Sequence, residues 1–582
     1  MDLMRRIFKF ALLILAGILF LKLSSNIWAD INSDCQNEAP SQIVAEGKTD
    51  ECTQILGNIA AAIGAANATN QKNLSQLQSQ LNSLNAKLNA LSDELTKTAA
   101  DISSREENMG FTQEVLNQKT RDYYTFLRLY DPITPFLFAD SASNAFQELS
   151  LRQKAQTADV SAIEQYVNEI NDLKNSQAAL QKSQASVSAV QKQIAQQTNF
   201  LAGEVAKANN YLATLSARQE AFIEAKLESL GISRSAYNLN GGCSSDINPY
   251  KAPNFGGTEF AFFTFGVPNR VGMDQYGAYG RANAGQGSDQ ILHAYYNFDG
   301  YQNFSNSIKI NVQGYGSYNL EDYVKRIYEV PDNWPMEALK AQAIAARSYV
   351  LAYTNGGAGS ICTTQQCQVF QPNPKGGNWE QAVDATAGQV MVQGGQPIKA
   401  WFSATHGGYE YTSADIGWSA TPWTKRLVDT TTGNAGSFAD LMNNAYDKSS
   451  PVFYCDWGGR SDQNKTAWLS STDLADIVNA VLLAEKDGST KSHLYQTDKP
   501  NPEGTDTWSA DQVKSNLGSS AFNTITDVSV GVDFGTGRTT TVTISGDAPS
   551  QTINGDDFKN YFNLRAPANI QIVGPLYNIE KH

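Results

Sequence analysis

The sequence predicts an α+β protein, a long antiparallel coiled-coil hairpin followed by a mixed α/β domain, and three observations predict it. Leu74, Leu77, Leu81, Leu84, Leu88, Leu91 and Leu95 alternate by threes and fours, the seam of a coiled coil. A second register repeats every heptad through Leu173, Leu180, Val187, Ile194, Leu201, Ala208, Leu215 and Phe222. After about residue 255 the composition turns to Gly, Tyr and Trp, with one alanine-rich helical stretch and runs of period-two alternation that read as β-sheet.

The 582 residues suffice for several domains, and 41% of them are hydrophobic, enough for a sizeable core. A net charge of -14, with no basic run interleaved with aromatics, argues against a nucleic-acid partner. At the start, Arg5, Arg6 and Lys9 precede an apolar run from Phe10 to Leu21, short for a ~20-residue membrane span. Residues 1–29 read as an export signal cut after Ala29 or as an uncleaved membrane anchor, and either places the rest of the chain outside the cytoplasm. Six cysteines in such a compartment form disulfides, with Cys35 and Cys52 a first candidate pair and Cys243 with Cys455 another.

Residues 53–232 make up the hairpin. Its turn is set by Pro132 and Pro135, which are followed by an apolar group, Phe136, Leu137 and Phe138. No cluster of acids, His or Cys in this half points to chemistry, so it reads either as a spacer or as a docking arm. Gly231, Gly241, Gly242, Pro249, Pro253, Gly256 and Gly257 punctuate a linker over 233–257, and the second domain fills 258–582.

Within that domain EVPDNWPMEALKAQAIAARSYVL, Glu329 to Leu351, stands out. Pro335 suits the first helical position, which makes Trp334 the expected N-cap. Glu337 then lies in the first turn, where free N–H groups and the helix dipole explain a carboxylate locally. Glu329 precedes Pro331, has no such explanation, and is the better candidate for chemistry. The alanines of the helix predict burial. Lys340 and Arg347, two turns apart on one face, are expected to point toward the loop bearing Glu329. A cation there lowers the acid's pKa and burial raises it.

The run LEDYVKRIYEVPDNWPMEALKAQAIAARSYVLAY resembles the signature of the SpoIID/LytB family of bacterial cell-wall proteins. The similarity continues in CTTQQCQVF, AWFSATHGGYEY, Val528 to Ile544 and FKNYFNLRAPANIQIVG. FGVPNRVGMDQYGAYG resembles the family's glycine-rich GHGVGMSQYGA motif, which usually closes the domain; here it opens it, so the domain reads as circularly permuted. Asn269, Arg270 and Asp274 stand where the motif has His, Gly and Ser. Asp274 otherwise reads as a solvated turn acid. The hairpin weakly resembles the coiled-coil halves of hydrolase regulators of the EnvC and PcsB type, whose tips touch a membrane or divisome partner.

The resemblance implies a lytic transglycosylase acting on peptidoglycan strands stripped of stem peptides. Glu329 would be the catalytic acid/base, its pKa raised by burial against neighbours such as Trp334, with Glu337, Lys340 and Arg347 supporting it. Gln275, Gln368, Ser403, His406, Gly407 and Gly408 match cleft-lining positions. His406 alone in a Gly-rich loop reads first as a surface or hydrogen-bonding residue, with an acid/base role the alternative. Some family members bind zinc near Cys362 and Cys367, but Gln366 stands where a His would be, and two thiolates make a poor site. A disulfide between Cys362 and Cys367 is expected instead, with no metal and no cofactor. Expected partners are glycan strands and, through the coiled coil, a cell-wall amidase or a membrane or divisome protein. The alternative function is a non-catalytic glycan-binding or amidase-enhancer module. Trp418, Trp423, Trp457 and Trp468 would suit sugar stacking or core packing.

Overall fold

A computed structural model describes residues 33–45, 49–129, 141–229, 234–239, 243, 255–267, 270–460 and 466–582. The stretch expected to be a signal or anchor, the Phe136–Phe138 cluster, Asn269 and most of the glycine- and proline-rich linker lie outside them. Among the described residues no helix is long and apolar enough to cross a membrane.

The protein is α+β. Helix α1 spans Thr49–Leu129 and α2 spans Ala142–Ser229. The chain divides into two compact units, residues 65–210 forming one and residues 1–64 with 211–582 the other. In the first, the two heptad registers turn inward, with Leu77, Leu91 and Leu201 buried. Asn67 reaches Asn209 at 2.6 Å, Asn85 reaches Gln191 at 2.8 Å, Glu106 reaches Lys174 at 2.7 Å and Lys119 reaches Asp159 at 2.6 Å. Partner numbers fall as the first series rises, so the helices run antiparallel. The ion pairs are largely solvent-exposed and add at most about 1 kcal/mol each, leaving the apolar seam to hold the helices.

The second unit begins with the helix bases. Cys35, Ile43, Cys52, Leu56, Ile59, Leu215 and Phe222 form a small core there, closed by the Cys35–Cys52 disulfide. Gln219 donates its amide to the carbonyls of Thr53 at 2.9 Å and Gly417 at 2.6 Å. Gly57 permits this approach, because a Cβ there would meet the Gly417 oxygen at 2.3 Å.

Strand β1 is Glu259–Phe265, EFAFFTF, buried on both faces, as its unbroken apolar run requires. The short strand β2, Met273–Asp274, runs directly into helix α3, Gln275–Asn283. The alanine-rich helix α4 is Met336–Tyr353, buried over almost its whole surface. Strand β3, Phe402–Ser403, pairs in parallel with β2. The two period-two runs form Ile525–Asp533 and Arg538–Gly546, an antiparallel pair. The last strand, β4, Tyr577–Lys581, lies antiparallel to β1, from Phe260 opposite Lys581 to Thr264 opposite Tyr577. The domain's first and last strands are thus neighbours, the juxtaposition a permuted chain needs.

The expected start of α4 is corrected by one residue. The N-cap is Pro335, not Trp334, because Pro335 keeps an extended ψ of 138° and the helix opens at Met336. Trp334 packs against Tyr276 and Tyr279, each at 5.0 Å between ring centroids. The other two disulfides join Cys243 to Cys455 and Cys362 to Cys367. Trp418, Trp457 and Trp468 are buried.

Candidate functional site

Glu329 sits in the loop between a short helix, Leu320–Val324, and α4. It is only 4% exposed, so burial rather than a neighbouring charge dominates its proton affinity. Its Oε1 accepts the Val369 N–H at 2.7 Å. Burial raises the carboxyl's pKa; the Val369 N–H, the Ser235 and Gln275 side chains and the Arg234 charge pull it part of the way back. Trp334, expected to bury the acid, instead packs against Tyr276 and Tyr279 of α3 and is not among the walls of the cleft.

A small cleft opens at Glu329, walled by Arg234, Tyr349, Gln365, Gln366, Cys367, Trp401 and Phe402, with Glu220 on α2. Glu220 is the only other carboxylate among these walls. Its Oε1 accepts from Lys399 at 2.8 Å and from the Trp401 indole at 3.0 Å, so it is committed to structural partners. Nearby, Lys375 is pushed down to about 8 by burial, against the pull of Asp332 and Glu329.

The segment following α2 lies along the acid's backbone. The Glu329 carbonyl accepts from the Tyr237 N–H at 3.0 Å and from the Ser235 hydroxyl at 2.9 Å. The Arg234 N–H donates to Gln365 at 2.6 Å, and the Ala236 N–H donates to Gln275 at 2.9 Å. Arg234 to Leu239 is therefore built into the site, although its composition reads as linker.

The other sequence-predicted residues are placed as follows. Gln275 opens α3 beside Glu329 and also reaches Gln342 at 3.3 Å. Gln368 is fully buried, accepting from the Tyr323 hydroxyl at 2.8 Å and donating to the Ala346 carbonyl at 3.1 Å, so its amide faces α4 and not the cleft. Glu337 is partly exposed, tied to the Ser288 N–H at 2.8 Å and to Lys340 at 2.7 Å, and Lys340 lowers its pKa. Arg347 is fully buried and clamps Glu321 at 2.9 and 2.6 Å. Neither Lys340 nor Arg347 turns to Glu329, contrary to expectation, because each finds a carboxylate on its own side of the helix.

Ser403, His406, Gly407 and Gly408 do not face the cleft. They belong to a buried layer behind Phe402. The Ser403 hydroxyl lies 2.7 Å from His406 Nε2, and His406 Nδ1 lies 2.6 Å from Glu410. The His406 N–H donates to Asp274 at 2.7 Å. Gly407 allows the loop to cross β1, where a Cβ would meet the Phe265 carbonyl carbon at 2.5 Å, and its φ of 68° suits glycine. Asp274 is completely buried, correcting its reading as a solvated turn acid; its side chain caps α3 through the Gly277 N–H at 2.7 Å. Burial and then Asp447 raise its pKa well above the usual range. His406 is likewise not at the surface, and burial holds it well below its usual value.

The site also uses residues that local sequence did not single out. Glu220 sits inside a heptad-like helix and meets Lys399 only through the tertiary fold, and Arg234 and Ser235 lie in a stretch that reads as linker. The glutamine and cysteine of CTTQQC did carry a signal, since Gln366 and Cys367 line the cleft.

Residues 311–393, which contain Glu329 and all of α4, match the family described as SpoIID, Stage II sporulation protein. Over this stretch the chain is similar to a SpoIID domain. The amidase enhancer of Bacillus subtilis is 26% identical over 253 residues, covering 40% of this chain and 34% of that protein. Stage II sporulation protein D of Bacillus subtilis is 31% identical over 166 residues, 23% of this chain and 48% of its own length. An uncharacterized protein of Brachyspira hyodysenteriae is 39% identical over 113 residues, 18% of this chain and 30% of its own. The chain thus spans less than half the length of each of these relatives. No solved structure matches it. The family match ends before β3, so Ser403, His406 and Glu410 lie beyond it, and Asp274 precedes it.

Proposed function

We propose that this protein remodels peptidoglycan outside the cytoplasm as a lytic transglycosylase, with Glu329 as general acid and base. The observation that carries the reading is a buried carboxyl, held toward its protonated form, at a cleft whose one other acid is committed to Lys399 and Trp401. Ordinary glycoside hydrolysis needs two working carboxyl groups. A transglycosylase needs one, because the muramic acid's own 6-hydroxyl attacks the anomeric carbon. Glu329 protonates the departing glycosidic oxygen, the 6-hydroxyl oxygen bonds to the anomeric carbon, and its proton passes to the Glu329 carboxylate. The products are a 1,6-anhydro end and a free 4-hydroxyl, with no water consumed. A raised pKa is what such an acid requires at neutral pH.

The relatives named amidase enhancer and stage II sporulation protein D support action at the cell wall, and the adjacent β1 and β4 support reading the domain as permuted. The hairpin is proposed to hold the domain at a distance from, or dock it onto, an amidase or a membrane or divisome protein. One observation favours the second reading, a glycan-binding or amidase-enhancing module without turnover: Glu329 is only 4% exposed, with Ser235 and Tyr237 bonded to its carbonyl. Incubation of the full chain with peptide-free peptidoglycan, followed by mass spectrometry, separates the two. Glycan fragments with 1,6-anhydro ends that vanish with Glu329→Gln support the enzyme; binding without cleavage, or reducing ends, overturns it.

A further inference from the structure

Behind the floor of the cleft, three buried carboxylates, Asp274, Glu410 and Asp447, converge on His406, and two of their oxygens have no hydrogen-bond partner. Asp274 and Asp447 both direct an Oδ2 at the same His406 N–H, at 2.7 and 3.1 Å, which brings two buried carboxylates to one donor. Asp447 Oδ2 also accepts from the Thr405 hydroxyl at 2.6 Å and the Gly407 N–H at 2.7 Å, whereas its Oδ1 has no hydrogen-bond partner. Glu410 uses Oε2 for His406, and its Oε1 has none. Asp447 is 0% exposed and Glu410 2%, so these two orphan oxygens are sealed from bulk water. A buried polar atom without a partner costs free energy, more so when charged, and calls for an ion or a proton. Among the described residues two buried cations stand nearby: Arg281, spent on Asp429 at 2.9 Å, whose other oxygen takes the Tyr295 hydroxyl at 2.6 Å, and Arg270, whose guanidinium turns to the Phe265 carbonyl and the Tyr411 hydroxyl and reaches Asp447 and Glu410 only through its field. No lysine or arginine among them forms an ion pair with Asp274, Glu410 or Asp447.

We propose that His406, Asp274 and Glu410 bind a divalent first-row transition ion, with Asp447 beside it. One ligand atom from each of the three lies within 4.8 Å of the others. Bonds of about 2.1 Å in tetrahedral geometry place ligand atoms about 3.4 Å apart, so the three need only small adjustments. The His406–Glu410 contact, 2.6 Å as a hydrogen bond, opens by about 0.8 Å when the ion replaces the proton between them. The Ser403 hydroxyl then accepts from His406 Nε2–H and fixes the tautomer that leaves Nδ1 free to ligate. One imidazole with carboxylates suits Zn²⁺ or Mn²⁺ better than a thiolate-seeking ion. The sequence expected no metal because it looked to the cysteines, which are joined as a disulfide.

The site is sealed, so its role is to brace the fold. Asp274 and Ser403 face one another across the parallel β2–β3 pair, and the neighbouring residues in each direction are Gln275 and Phe402 of the candidate active site. Asp274 occupies the position where the family's glycine-rich motif carries Ser, which makes the ligand set a feature of this chain's own sequence. The proposal stands independently of whether the cleft turns over glycan.

The full chain, purified without added metal, is analysed by inductively coupled plasma mass spectrometry, then dialysed against EDTA and titrated with Zn²⁺ or Mn²⁺ while Trp fluorescence follows thermal unfolding. The expected result is one bound equivalent, a lower Tm after EDTA and recovery on addition of the ion. Glu410→Gln and Asp274→Asn should lose the equivalent, while His293→Ala and His493→Ala, at exposed His–Asp pairs, keep it. Protein that is metal-free as purified and whose Tm moves with neither EDTA nor added ions overturns the proposal, as does an equivalent that follows His293 or His493. Should the two ligand variants not fold, the wild-type content and Tm response decide alone.

Discussion

Replacing Arg347 with Ala distinguishes a scaffold role from a catalytic one. Arg347 is fully buried, with Nε and Nη2 at 2.9 and 2.6 Å from the two oxygens of Glu321 and Nη1 at 3.1 Å from the Gln389 carbonyl. Truncation leaves Glu321, 8% exposed, with the Gly388 N–H at 2.9 Å as a neutral donor in place of the guanidinium. Breaking a buried ion pair by removing one partner costs about 3–5 kcal/mol, because an uncompensated charge remains. The variant with Glu321→Leu as well should recover part of that loss, since a pair replaced by apolar groups leaves no lone charge. The stretch 65–210 contains no Trp, so Trp fluorescence in a urea titration reports the second unit without interference from the hairpin. A shift equivalent to less than about 1 kcal/mol for Arg347→Ala would refute the scaffold assignment. So would a folded variant of wild-type stability that had lost glycan cleavage, because only contact with the reacting centre would then explain the loss.

Three further outcomes are expected. Since burial raises the Glu329 pKa, its contribution to stability is fully present below the unfolded value near 4.5 and is lost as pH rises through the folded value; Glu329→Gln should flatten that part of the stability–pH curve and abolish anhydro-product release. Gln275→Ala removes a side chain that lowers the Glu329 pKa, so the alkaline limb of the activity profile should move to higher pH; a shift to lower pH would contradict the assigned contact. The Cys243–Cys455 bridge spans a sequence separation of 212 and Cys362–Cys367 a separation of 5. Loop entropy gives about 5 and about 2 kcal/mol respectively, so Cys243→Ser with Cys455→Ser should lower the midpoint more than Cys362→Ser with Cys367→Ser.

Periodicity carried the large-scale organisation. The heptads of Leu74 to Leu95 and of Leu173 to Phe222 made the antiparallel hairpin legible, and the alanine content of α4 foretold its burial, since both depend on local spacing alone. Prolines isolated Glu329 from the helix that follows. The start of α4 was misplaced by one residue because Pro335 can sit either as cap or as first helical residue, and its ψ depends on what Trp334 packs against. The orientation of Arg347 was not readable for a similar reason: a helical face has a direction, but the carboxylate that claims the cation, Glu321, is brought there by the fold.

What the sequence determined by itself was therefore the class of architecture, the stretch that carries the acid and the pairing of nearby cysteines, because each follows from residue spacing along one segment. Tertiary structure alone decided which groups meet: Glu220 and Ser235 at the Glu329 cleft, and Asp274, His406, Glu410 and Asp447 in one dry layer. Proton affinity and metal affinity arise from burial and from charges that are distant in sequence, and those quantities exist only once the chain has folded.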